Sequence, residues 1–138
     1  MANILIVEDD FLQAEALDAL LSARGYSICA IAGSAEQAVS LAKSHQPDVV
    51  LMDVRLSGEL DGVDAASKIG QSCNCGIVFV TGVVNAQTAR RIGSTAPHAV
   101  TLMKPTTGPK LVDAIRRALA GRSSAHTPPP STSRRRAG

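Results

Sequence analysis

The sequence predicts an α/β domain: a doubly wound, five-stranded parallel sheet with helices on both faces. Three observations predict it. Short apolar runs rich in Val, Ile and Leu recur at residues 3–7, 48–52, 76–80 and 99–103, each too short for a typical helix. Segments with apolar residues at helical spacing separate them, and strands alternating with helices give right-handed crossovers and a parallel sheet. The composition is 45% hydrophobic but only 2% aromatic, with no Trp, so the core must be aliphatic, as a sheet buried on both faces requires.

Each element has its own signals. The first strand, 3–7, runs into Glu8-Asp9-Asp10; Leu12, Ala16, Leu20 and Ala23 then mark a helix over roughly 10–24, with Gly25 placed for a C-cap. Asp10 is expected to start that helix, where a carboxylate suits the macrodipole. Residues 26–31 read as the second strand. Ser34 offers an N-cap to a helix carrying Ala35, Ala38, Val39 and Ala42 on one face, which ends before Pro47. The third strand leads to Asp53. Val63, Ala66 and Ile69 mark a third helix, 76–80 a fourth strand, and Thr81-Gly82 a turn. A fourth helix over 86–93 is cut short by Gly93 and Pro97. The fifth strand, 99–103, stops at Lys104-Pro105, and Leu111, Val112, Ile115, Ala118 and Leu119 form an amphipathic fifth helix closed by Gly121.

The 138 residues suit one domain, expected over 1–121. Residues 122–138 are Pro-, Ser- and Arg-rich without apolar periodicity and read as a disordered tail. The formal net charge of +2 is unevenly distributed. Four of the 14 Lys and Arg are Arg122 and Arg134, Arg135 and Arg136, so residues 1–121 hold 10 against all 12 acids and carry −2. A body of that charge shows no basic face for nucleic acid, and Arg134-Arg135-Arg136 reads as a solubilising end. No run of about 18 apolar residues is present to span a bilayer, and the N-terminus lacks the form of a signal peptide, so a cytoplasmic protein is expected. Cys29, Cys73 and Cys75 support neither a disulfide framework nor a zinc site and read as reduced thiols. His45, His98 and His126 have no partnered spacing and receive no role.

A parallel sheet brings the ends of strands one, three, four and five to one edge, where ligands of open α/β sheets bind. Glu8, Asp9, Asp10, Asp53, Thr81 and Lys104 each follow an apolar run and can converge there. Taken alone, Asp53 reads first as the polar residue that ends a strand. Carboxylates crowded without a cation raise one another's pKa, so a hard divalent ion with oxygen ligands, Mg²⁺, is their natural complement. A metal, a carboxylate, a hydroxyl and an ammonium are the parts of a phosphoryl-transfer site.

Four motifs in order, Ile4-Leu5-Ile6-Val7-Glu8-Asp9-Asp10, Leu51-Met52-Asp53, Phe79-Val80-Thr81-Gly82 and Lys104-Pro105, resemble the receiver domain of bacterial response regulators in two-component signalling. The likeness covers about residues 2–121. It implies a flavodoxin-like (βα)5 fold and a signalling switch in which Asp53 accepts a phosphoryl group from the phosphohistidine of a sensor histidine kinase or phosphotransfer protein. It further implies that Asp9 ligates Mg²⁺ directly, Glu8 through a water, and Asp53 and the backbone carbonyl of Arg55 complete the protein ligands. Thr81 would hydrogen-bond a phosphoryl oxygen, Lys104 would pair with it, and the Lys104-Pro105 bond would be cis. Output would pass to a downstream protein partner through the fourth helix, fifth strand and fifth helix, a surface that also suits a homodimer, with no membrane or nucleic acid involved.

The sequence also departs from that pattern. The position three before the lysine, usually an aromatic that swings with the threonine, is Thr101, so the switch formed by Thr81 and residue 101 cannot couple in the usual way. The loop 57–62 is one residue longer than is common, and Thr81-Gly82-Val83 resembles a variant subclass. Arg55, two residues beyond Asp53, stands near the approach of a hydrolytic water and is expected to alter the lifetime of an aspartyl phosphate. Two rival readings stay open: a phosphate-independent interaction module, and a phosphohydrolase with an aspartyl nucleophile. The second is disfavoured because such enzymes commonly carry an Asp where Arg55 stands.

Overall fold

The computed structural model describes residues 2–82 and 85–125. Its elements run β1 (Asn3–Val7), α1 (Phe11–Ser22), β2 (Ser27–Ala32), α2 (Ala35–His45), β3 (Val49–Met52), α3 (Gly62–Gly70), β4 (Gly76–Thr81), α4 (Ala86–Thr95), β5 (Val100–Met103) and α5 (Gly108–Ala125). The five strands form one parallel sheet in the order β2-β1-β3-β4-β5. The predicted fold class is the observed one.

Side chains alternating along each strand separate two cores. Leu5, Val7, Val50, Met52 and Phe79 face α2, α3 and α4, where Ala38, Ala42, Val63, Ala66, Ile69 and Ile92 meet them. Ile4, Ile6, Val49, Leu51, Val78 and Val80 face the other way, against Ala14 and Leu21 of α1 and Leu111, Ile115 and Ala118 of α5. Phe79 is the bulkiest fully buried side chain in a core otherwise made of aliphatic residues, and truncating it to Ala costs about 3–5 kcal/mol.

The helix starts follow side-chain chemistry. The Asp10 carboxylate caps α1 by accepting from the amides of Leu12 and Gln13, Ser34 caps α2 by accepting from Gln37, and Asn85 caps α4 by accepting from Thr88. Asp61 and Asp64 form a reciprocal capping box on α3. Gly25, at φ 91°, turns the chain out of α1 in the left-handed conformation its lack of Cβ permits.

Two helices outrun their expected ends. α4 continues through Gly93 to Thr95, since a glycine weakens a helix by only about 1 kcal/mol and the buried Ile92 anchors that turn. α5 continues through Gly121 to Ala125, past the expected boundary at 121. The Arg122 guanidinium donates to the backbone carbonyl of Asp48 at 3.2 Å and to its carboxylate at 3.1 Å, which ties the extra turn to the start of β3. The rest of the expected tail, 126–138, and Val83 lie outside the described residues. Cys29, Cys73 and Cys75 are free thiols. Among the described residues no helix is long and apolar enough to cross a membrane.

Candidate functional site

The acidic site forms because β1 and β3 are neighbours although α1, β2 and α2 separate them in sequence. Val7 pairs with Met52, so the residues that follow, Glu8 and Asp53, leave the sheet side by side. The Asp53 amide donates to the Val7 carbonyl at 3.1 Å, and the Lys104 amide donates to the Thr81 carbonyl at 2.8 Å, which fixes the same edge from the β4 and β5 side. The Lys104-Pro105 peptide is cis, as the resemblance implies.

Lys104 joins the carboxylates. Its ammonium donates to Asp53 Oδ2 at 2.9 Å, to Glu8 Oε1 at 3.0 Å and to Gln13 Oε1 at 2.6 Å. Glu8 is 4% exposed and Asp53 9%. The other Asp53 oxygen accepts the Arg55 amide at 3.0 Å, so the carboxylate is held at both ends. Burial pushes the Glu8 carboxyl above its ordinary value, and the Asp53 charge adds to this, against the pull of Lys104. Burial also works against the Lys104 charge, but its bonds to Asp53 and Glu8 outweigh that and hold its pKa above the ordinary value. Thr81 is fully buried at the end of β4, as the last residue of the strand and not a turn.

Asp9 borders this cluster on its solvent side, beside Glu8. It is exposed, and its Oδ2 accepts both the Ser57 hydroxyl at 2.7 Å and the Ser57 amide at 3.2 Å. The Ser57 hydroxyl bond draws the Asp9 pKa below its ordinary value. Accordingly, no three His, Cys, Asp or Glu side chains among the described residues are gathered closely enough to hold a metal ion. The donors nonetheless suit Mg²⁺: hard oxygens, with the nearly buried carboxylates of Glu8 and Asp53 around a single ammonium, for an ion that takes few protein ligands and keeps its waters. Thr101 is exposed on β5, and the Arg55 side chain is exposed.

Four contributors escape a reading of the sequence. Gln13 and Ser57 carry no spacing signal. Gly62 opens α3 against the chain behind Asp53: a Cβ there would collide with the Asp53 carbonyl oxygen and lie 2.9 Å from Val54 Cα. Arg91 on α4 donates to Asp61 at 2.7 and 3.1 Å and to Asp64 at 3.1 Å. The Asp61-x-x-Asp64 spacing was the available clue to the α3 cap that receives it.

Comparisons with known proteins agree with this geometry. The family described as the response regulator receiver domain matches residues 4–116. The transcriptional regulatory protein PdtaR of Mycobacterium tuberculosis is 36% identical over 118 residues, which is 86% of this chain and 57% of PdtaR. The chain therefore spans little more than half the length of that relative. The phyllosphere-induced regulator PhyR of Methylorubrum extorquens is 31% identical over 80 residues, 57% of this chain and 30% of PhyR. Among solved structures, the signal receiver domain of a modulated diguanylate cyclase from Desulfovibrio desulfuricans G20 superposes with a TM-score of 0.83 at 32% identity, covering 91% of this chain and 99% of that one. With the fold, the strand-end cluster and these likenesses in agreement, the chain belongs to the response regulator receiver domain family of two-component systems.

Proposed function

We infer that this receiver accepts a phosphoryl group on Asp53 from the phosphohistidine of a sensor kinase or phosphotransfer protein, and signals through contact with a protein partner. The observation that carries this is the Lys104 ammonium held between Asp53 and Glu8 at the strand ends, beside the buried Thr81. An Asp53 oxygen attacks phosphorus, the bond from phosphorus to the donor nitrogen breaks, and its electron pair returns to the imidazole. The bonds from Lys104 and the Arg55 amide orient the carboxylate before attack. Lys104 offsets charge on the phosphoryl oxygens, and the Thr81 hydroxyl donates to one of them.

Receiver domains use Mg²⁺ at their acidic pocket. Here Glu8, Asp9, Asp53 and the Arg55 carbonyl would hold it, with Asp9 giving up Ser57, and the ion would neutralise the charge of the transferring group. Exposed apolar side chains support a protein partner: Phe11 and Leu12 are 73% and 77% exposed beside the acidic residues, and Met103 on β5 is 51% exposed. A surface through α4, β5 and α5 suits such a partner or a second copy.

Incubation with acetyl phosphate or beryllofluoride plus Mg²⁺, followed by mass spectrometry or NMR, tests this reading. One adduct per chain, absent from Asp53→Asn, is expected. No adduct, or one that survives the substitution, overturns it and favours phosphate-independent binding.

A further inference from the structure

We propose that Gln13 is a positioning residue for Lys104, a neutral anchor that keeps the ammonium in place while its carboxylate partners change. The proposal rests on the phosphorylation reading above only for its consequence, not for its geometry. An ammonium has three N–H donors. Lys104 directs bonds to Asp53, Glu8 and Gln13, and the Gln13 bond, at 2.6 Å, is the shortest.

Gln13 is itself held. Its side-chain amide nitrogen donates to Asp10 Oδ2 at 3.2 Å, and its backbone amide donates to Asp10 Oδ1 at 3.3 Å. Asp10 is fixed in turn as the N-cap of α1, accepting from Leu12 at 3.0 Å. A chain of hydrogen bonds therefore runs from the first turn of α1 to the lysine that follows β5. The two other acceptors differ from Gln13 in one respect. Asp53 gains a phosphoryl group, and Glu8 belongs to the acidic set suited to a cation, so the bonds of both to Lys104 are open to exchange. The Gln13 amide is not, because it carries no charge and competes poorly for a hard cation. Neutrality also matters for the incoming group: a carboxylate at residue 13 would repel an anionic phosphoryl oxygen where the amide does not.

The test compares Gln13→Ala and Gln13→Glu with the wild type by two readouts. The first is the ¹⁵Nζ resonance of Lys104 in the unphosphorylated protein, which reports whether the ammonium is held. The second is the rate of phosphorylation by acetyl phosphate with Mg²⁺. Residue 13 is exposed on a helix, where Ala is the best helix former, so loss of folding does not confuse the result.

In Gln13→Ala the resolved Lys104 signal should collapse into the exchange-averaged lysines, and the rate should fall about tenfold, near the low end of what a hydrogen bond to a charged group contributes. Gln13→Glu should keep the signal but still lose rate, since it restores an acceptor and adds charge. An unchanged Lys104 resonance and rate in Gln13→Ala overturn the proposal. Failure of wild type itself to become phosphorylated overturns the phosphorylation reading instead, and the resonance still decides the role of Gln13.

Discussion

The Arg91 guanidinium grips the Asp61 carboxylate with two nitrogens, at 2.7 and 3.1 Å, and so ties α4 to the first turn of α3. Because Asp61 also caps α3, one carboxylate serves both helices. Arg91→Ala should lower the melting temperature by about 3 °C, the equivalent of roughly 1 kcal/mol for a pair this exposed. Burial works against the Asp61 charge, but the bonds from Arg91 outweigh it and hold the carboxyl below its ordinary 3.8. A lowered folded pKa gives stability that is present above that value and lost as pH falls below it. The gap in melting temperature between wild type and Arg91→Ala should therefore be full near neutral pH and close in acid below about 3.8. A gap independent of pH would show that the pair contributes through packing alone.

Gly62→Ala should damage the site from behind. The new Cβ collides with backbone at Asp53 and Val54, which cannot rotate away as a flexible side chain would. A loss of about 1–3 kcal/mol in urea denaturation, with slower phosphorylation of Asp53, is expected.

Removing Lys104 leaves Glu8 buried without its cation. Lys104→Ala should cost about 1–3 kcal/mol, and adding Glu8→Gln should recover part of that loss because the stranded charge goes with it. A double-mutant cycle in urea measures the recovery. Strict additivity would mean that the two residues do not share an interaction.

Ser57→Ala removes the hydroxyl bond to Asp9 Oδ2 and leaves that oxygen only the backbone amide of residue 57. If Asp9 is a ligand, Mg²⁺ affinity should rise by about two- to tenfold, the worth of one hydrogen bond no longer given up. Calorimetric titration of the two proteins gives the ratio, and equal affinities would remove Ser57 as a competitor.

Arg55→Ala should change the half-life of the aspartyl phosphate, because this side chain is exposed two residues beyond Asp53. Equal half-lives in a chase with the phosphodonor removed would dismiss it.

The apolar runs made the sheet legible in the sequence, because the central strands β1, β3 and β4 are buried on both faces and so apolar nearly throughout, and the residues ending the runs disclosed Glu8, Asp53, Thr81 and Lys104. Their company was legible too, since parallel strands end on one edge. What stayed hidden depends on side-chain reach across elements. Nothing in the sequence says that Gln13 bends toward Lys104 and not toward solvent, or that Asp9 turns to Ser57 across 48 residues of chain. The ends of α4 and α5 were misplaced for a related reason. Glycine marks a helix end only when nothing next to it holds the turn, and here Ile92 and Arg122 do.

The Lys104 ammonium is fully engaged before any phosphoryl group arrives. Under the proposed phosphorylation, Lys104 would exchange one anionic partner at Asp53 for another while its bond to Gln13 holds it in place. On that reading, the signal carried to the surface would be the difference between two arrangements that each satisfy the lysine. A partner that prefers one arrangement by a few kcal/mol would then shift the same equilibrium that the phosphodonor shifts.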